Sequence, residues 1–159
     1  MAWWNILLAI ILSFLPFFEL RGGIPLAILT GLDPWVAFVL CTFVNILAIF
    51  FVFFFLDKIH LWLLSYNWYK KSFNKFFEKA KKRSKHVKKK MDNWGMLALV
   101  LFVAIPLPGT GAWTGSLIAW ILKLNRRKAF FAIALGVIIA GIIVTLAVTG
   151  IVALFKIFI

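Results

Sequence analysis

The sequence predicts an all-α, polytopic integral membrane protein. It reads as two inverted repeats, each a re-entrant (broken) helical hairpin followed by a transmembrane helix, with a basic amphipathic cytoplasmic helix between them. Three observations carry this expectation. The chain of 159 residues is 64% hydrophobic with a mean hydropathy of +1.02, the composition of a membrane-embedded domain. Its apolar residues fall into four blocks, roughly 2–30, 35–56, 94–122 and 129–158. Its cations are confined: 11 of the 18 Lys and Arg lie between Lys70 and Lys90, and Lys123, Arg126, Arg127 and Lys128 follow the third block.

Blocks two and four are uninterrupted and long enough to cross a hydrocarbon core of ~30 Å. Blocks one and three are each split near the middle. The first break is Glu19-Leu20-Arg21-Gly22-Gly23-Ile24-Pro25, and the second is Ile105-Pro106-Leu107-Pro108-Gly109-Thr110-Gly111. Broken backbone at membrane depth is tolerated only where protein buries it or a polar cavity meets it. Lys and Arg near membrane ends mark the cytoplasmic side. The loop of residues 57–93 is therefore cytoplasmic, and block three, basic at both ends, enters and leaves on that side. Block one has no basic residue at either end, which suits two external ends. The single membrane domain 1–159 then divides into repeat one (1–56), a basic cytoplasmic linker (57–93) and repeat two (94–159), in a multi-pass protein of the cell membrane with both termini external. The competing arrangement, four full spans, would put Lys123 to Lys128 outside, against the charge rule, and would leave both breaks as kinks.

Within the linker, Tyr66, Tyr69, Phe73, Phe76, Phe77 and Ala80 recur at three- and four-residue steps with Lys70, Lys71, Lys75 and Lys79 between them. This is a basic amphipathic helix suited to an anionic leaflet, extended by the polybasic run Lys81 to Lys90. Topology anchoring and recruitment of anionic membrane lipids are both open readings of Lys70–Lys90. Nucleic acid is not an expected partner, because the aromatics form a helical stripe rather than a stacking platform. In the last block Ala132, Gly136 and Ala140, and beside them Gly141, Thr145, Thr149 and Ala153, are small residues at four-residue spacing, which lets helices approach closely in lipid. They suit packing within one subunit; a homodimer seam is the alternative.

Glu19 and Arg21 are the only charges inside block one, and a charge at mid-membrane costs roughly 2.5–3.5 kcal/mol on insertion scales. They must pair with each other, meet backbone groups or face water. A structural ion pair and a role in handling substrate or protons both remain open. Gly22 and Gly23 permit close approach, and Pro25 suits the first turn of a new helix. In the second break Pro106 and Pro108 end the incoming helix. Gly109, Thr110 and Gly111 then open another that runs through Thr114, with Thr110 as its expected cap. Two helix N-termini and Arg21 would form a donor-rich pocket for an anion such as phosphate. The alternative is that Thr110 and Thr114 merely satisfy broken backbone. A proton carried by Glu19 would be the coupling species.

No enzyme signature is present. Asp33, Asp57, Glu78 and Asp92 lack metal-ligand spacing, His60 and His86 are far apart, and no nucleophile–base set or phosphate-cradling loop occurs, so neither a metal nor another cofactor is expected. Cys41 is alone in an apolar run and reads as packing. The apolar N-terminus lacks a basic n-region and a small-residue cleavage site, and is expected to be retained.

Over nearly its whole length the chain resembles the small multidrug export protein family, a relative of the DedA (VTT-domain) superfamily. The resemblance rests on Glu19 to Pro25 and on Ile105 to Gly115. It implies a membrane protein with two re-entrant hairpins, and Glu19 would correspond to the acidic residue of the DedA first hairpin. DedA members typically carry arginines in the second hairpin, where Pro106 to Gly115 has none. Several DedA relatives are implicated in moving polyprenyl phosphate or phospholipids, some with proton-motive force. The expected function is thus a secondary transporter or flippase of an anionic lipid. A proton-coupled exporter of small amphipathic compounds and a non-transporting membrane scaffold are the alternatives.

Overall fold

A computed structural model describes residues 3–63, 94–107 and 109–158. Its helices are α1 (Trp3–Phe14), α2 (Glu19–Leu29), α3 (Pro34–Leu63), α4 (Trp94–Ala104), α5 (Ala112–Ile121) and α6 (Arg126–Phe158), and no strand occurs among the described residues. The predicted basic amphipathic helix and the run Lys70–Lys90 lie outside the described residues.

Helix lengths sort the elements into two kinds. α3 and α6 contain 30 and 33 residues, and their apolar stretches Pro34–Lys58 and Arg126–Leu154 are long enough to cross a bilayer. α1, α2, α4 and α5 contain 12, 11, 11 and 10 residues, each well short of the ~20 that a crossing needs. The order short, short, long therefore occurs twice.

The junctions of the two halves match atom for atom in kind. α2 ends with Gly31 at φ 95°, where Leu32 N–H donates to the Ala27 carbonyl (2.9 Å) and Gly31 N–H to that of Ile28 (3.0 Å). α5 ends with Lys123 at φ 53°, where Leu124 N–H donates to Ala119 (3.0 Å) and Lys123 N–H to Trp120 (3.1 Å). Both are Schellman-type ends, which satisfy the last carbonyls through a left-handed residue. Each is followed two residues later by a side-chain cap. Asp33 Oδ1 accepts from Trp35 N–H (2.9 Å) and Val36 N–H (3.3 Å); Asn125 Oδ1 accepts from Arg127 N–H (3.1 Å) and Lys128 N–H (3.3 Å). Gly31 to Lys123, Asp33 to Asn125 and Gly23 to Gly115 are separated by the same number of residues. Lys123 carries a Cβ in a conformation that disfavours one by about 1–2 kcal/mol. Lys123→Gly should accordingly raise stability by about 1 kcal/mol in a denaturation series, with no change in helix content.

Close approach holds the helices together. A Cβ on Gly23 would collide with Ser13 Oγ and stand 2.8 Å from the Ala9 carbonyl, so α2 turns back along α1 with no room between them. On Gly115 it would meet Val103 of α4 at 2.7 Å. On Gly136 it would meet Val103 and the Val100 carbonyl, and on Gly141 it would meet Phe38 and Thr42 of α3. The predicted stripe Ala132, Gly136, Ala140 thus packs inside one chain, with α4 lying along α6. The core is apolar, built around Ile24, Ile49, Val103, Ile133 and Val137, each no more than 1% exposed. Within it, Asn45 Nδ2 donates to the Ser13 carbonyl at the end of α1 (3.1 Å).

One end of the molecule carries a charged clasp. Asp57 of α3 accepts from Trp120 Nε1 of α5 (3.0 Å) and from Arg126 Nη2 at the start of α6. The Arg126 guanidinium also lies 4.9 Å from the centre of the Phe53 ring. The end of α5, the start of α6 and the Asp57 turn of α3 therefore share one end of the molecule.

Candidate functional site

The two helix breaks meet at the centre of the molecule, and the polar groups of one complete the other. α2 begins at Glu19, not at Pro25. The chain turns at Leu15-Pro16-Phe17-Phe18, and Pro25 sits inside α2. This corrects the expectation that Pro25 opens a helix. Pro16 supplies the break, while Pro25, which has no N–H, cannot give the Arg21 carbonyl its usual helical donor.

Glu19 is 6% exposed and reaches across to the second break. Its Oε2 accepts from Ala112 N–H (3.3 Å) and its Oε1 from Trp113 N–H (3.2 Å). A carboxylate from α2 therefore caps α5, whose own N-cap residue, Gly111, has no side chain to do so. The first amides of a helix lack intrahelical partners and attract negative charge, and a hydrogen bond to a charged group is worth about 1.5–3 kcal/mol. These two bonds offset the burial of Glu19 and its own left-handed backbone (φ 46°). The amides expected to be free at α5 are thus engaged by Glu19.

Arg21 also crosses between the breaks. Its Nη2 donates to the Thr110 carbonyl (2.6 Å) and to Thr110 Oγ1 (2.7 Å). Thr110 Oγ1 lies 2.7 Å from the Ile105 carbonyl and 2.8 Å from that of Leu107. Thr110 therefore serves the end of α4 rather than capping α5. Among the described residues no ion pair joins Glu19 to Arg21. Glu19 instead takes the positive N-terminus of α5, and Arg21 the carbonyl and hydroxyl of Thr110 in the loop between α4 and α5.

Three more glycines shape the second tip. Gly109 (φ 83°) is an exposed turn, and Gly111 (φ 137°, ψ −163°) adopts a conformation open essentially to glycine alone. A Cβ on Gly111 would collide with both carboxylate oxygens of Glu19. Gly115 keeps α5 against Val103. The remaining predicted site residues divide. Pro106 ends α4 next to Thr110, and Gly23 serves the α1–α2 contact. Gly22 lies against Phe18, and Thr114 is half-buried in the first turns of α5 with no hydrogen bond from its side chain among the described residues. Pro108 lies outside the described residues.

Sequence reasoning missed Trp113, whose Nε1 donates to the Phe14 carbonyl (2.8 Å) at the end of α1 and whose ring packs edge-on to that of Phe14. A buried indole N–H needs a partner, so a Trp beside a glycine-rich break was itself a signal. The space bounded by Glu19, Leu20, Arg21, Val103, Gly111, Val137, Ala140 and Val144 amounts to about 10 Å³. That is one water at most, so the tips are closed on each other.

Two crossing-length helices, three short apolar ones, and a charged α2 whose break interlocks with the other define a small helical membrane protein. The chain belongs to the family described as "Putative small multi-drug export protein", whose model matches residues 19–143. That span begins at Glu19 and takes in both breaks. No curated protein and no solved structure matches the chain.

Proposed function

We propose that the protein is a secondary transporter that moves an anionic lipid across the membrane by exchanging the Glu19 carboxylate for the lipid headgroup at the N-terminus of α5. The observation that carries this is the pair of bonds from the Ala112 and Trp113 amides to Glu19. α5 binds an anion there already, and the anion is the protein's own. A proton taken up by Glu19 weakens its hold on the amides and frees the helix end. Arg21, released from Thr110, then faces the incoming phosphate, for which a guanidinium fork and helix amides are the fitting donors. Loss of the proton returns Glu19 to α5 and expels the headgroup. The closed tips are the resting state of this cycle.

The reading also takes each pair of short helices as a re-entrant hairpin, α1–α2 from outside and α4–α5 from the cytoplasm, in an inverted repeat. Support comes from the half-span lengths, the matched junctions and the clasp that draws Arg126 to Asp57.

The test is movement of a fluorescent anionic phospholipid between the leaflets of vesicles holding the purified protein. Wild type is expected to accelerate it, Arg21→Ala to reduce it at least tenfold, and Glu19→Gln to remove its response to an imposed pH gradient. Unchanged movement in Arg21→Ala overturns the proposal.

The family description fits a second reading, export of small compounds, which in this protein would be amphipathic and coupled to protons through Glu19. A cationic compound would take Glu19 as its ligand and be repelled by Arg21. Its binding would then fall in Glu19→Gln and rise in Arg21→Ala, the reverse of the order expected for an anion.

A further inference from the structure

Beside the clasp, α4 and α6 together line a groove of about 530 Å³ on the surface of the molecule. Met96, Leu97 and Val100 of α4 line it with Phe131, Ala132 and Leu135 of α6. Lys128 is the single charged residue in the lining. Its ammonium has no hydrogen-bond or ion-pair partner among the described residues. A groove of similar size, about 510 Å³, opens between α3 and α6 near the start of α3, but there the lining charge is Asp33. An anionic headgroup is attracted to the first and repelled by the second.

The first groove lies on the same face of α6 as the central site. Lys128, Ala132, Gly136 and Ala140 follow one another along a face of α6. Ala140 borders the space beside Glu19 and Arg21. From Lys128 to Ala140 the helix rises about 18 Å at 1.5 Å per residue, a little over half the ~30 Å core. Between groove and site the seam is shut where Gly136 meets the Val100 carbonyl and Val103.

We infer that this groove is a docking site for an anionic phospholipid, which lays one acyl chain between α4 and α6 and sets its headgroup on Lys128. The inference rests on the transport reading above for its purpose, since the docked lipid waits outside the Val100–Gly136 contact before reaching Arg21. Binding itself can be tested separately from transport.

The experiment uses the full chain in vesicles and two photoreactive probes, phosphatidylglycerol and phosphatidylcholine, each with a diazirine in an acyl chain. Labelling is expected to concentrate on residues 96–100 and 131–135 and to favour the anionic probe. Lys128→Gln should lower that preference about fivefold, the worth of one cation near an anionic surface. Leu97→Trp should narrow the groove, lower the labelling and slow lipid movement. Labelling spread evenly over the lipid-facing residues of α3 and α6, with no headgroup dependence, overturns the docking site even if the wild type moves lipid. Focused, Lys128-dependent labelling in a wild type that moves no lipid upholds the docking site and overturns the transport reading.

Discussion

Gly111→Ala is expected to cost at least about 3 kcal/mol of stability and to abolish transport. Two effects add. An alanine at φ 137° and ψ −163° pays roughly 1–3 kcal/mol for a conformation that L residues avoid. Its methyl group would also occupy the place of the Glu19 carboxylate, forfeiting two charge-assisted bonds to Ala112 and Trp113 and leaving a buried anion without partners. A double-mutant cycle separates the two effects. In a Glu19→Ala background the collision partner is gone, so Gly111→Ala should cost only the backbone part. Denaturation of the four proteins in detergent should give a coupling energy above about 1 kcal/mol. Additive costs would mean that Gly111 acts through its own backbone alone and that Glu19 does not bear on α5.

Why this contact was not legible in the sequence follows from what each residue could signal locally. Pro106, Gly109 and Gly111 announce a broken helix through missing donors and permissive backbone, and the structure has the break there. Apolar length announces α3 and α6. Nothing local, however, says that the acceptor for the Ala112 and Trp113 amides stands at Glu19, in the other half of the chain. Thr110 is the residue type that normally caps a helix, yet it turns its hydroxyl to the carbonyl end of α4, because Glu19 already holds the α5 amides and Arg21 bonds its oxygen. At the first break the close approach expected of the glycines is made by Gly23, against Ala9 and Ser13, but the interruption itself lies upstream: residues from Glu19 on are helical and Pro25 is accommodated within α2. In lipid, a helix tolerates an internal proline when neighbouring groups satisfy the freed backbone. Pro16, a single proline in an apolar run, carries the turn instead. Asn45 is a comparable case: a lone amide in an apolar span signals a partner without saying that it is the Ser13 carbonyl.

The side of the membrane on which α6 starts decides between a re-entrant α4–α5 pair and a continuous crossing, and it gives an all-or-none result. Asp57 accepts from Trp120 and Arg126, so Lys58 and Arg127 next to them lie at one end of the molecule, with Trp35 at the other end of α3. In a Cys41→Ser background, Lys58→Cys and Arg127→Cys should both react with a membrane-impermeant maleimide from the cytoplasmic face, and Trp35→Cys only from the opposite face. Arg127 is a better probe than Asn125, whose side chain caps α6 through the Arg127 and Lys128 amides and whose loss would cost about 1 kcal/mol. Lys58 and Arg127 are both exposed, so neither substitution should disturb packing. Reaction of the two from opposite faces would require α4 and α5 to cross as one unit and would pull Arg126 away from Asp57. Glu19 would then lose its place at a helix end near the middle of the membrane, and the exchange of one anion for another would have no site. Reaction from the same face leaves α5 starting at mid-depth, where its first amides face no water and an anion is the partner they fit best.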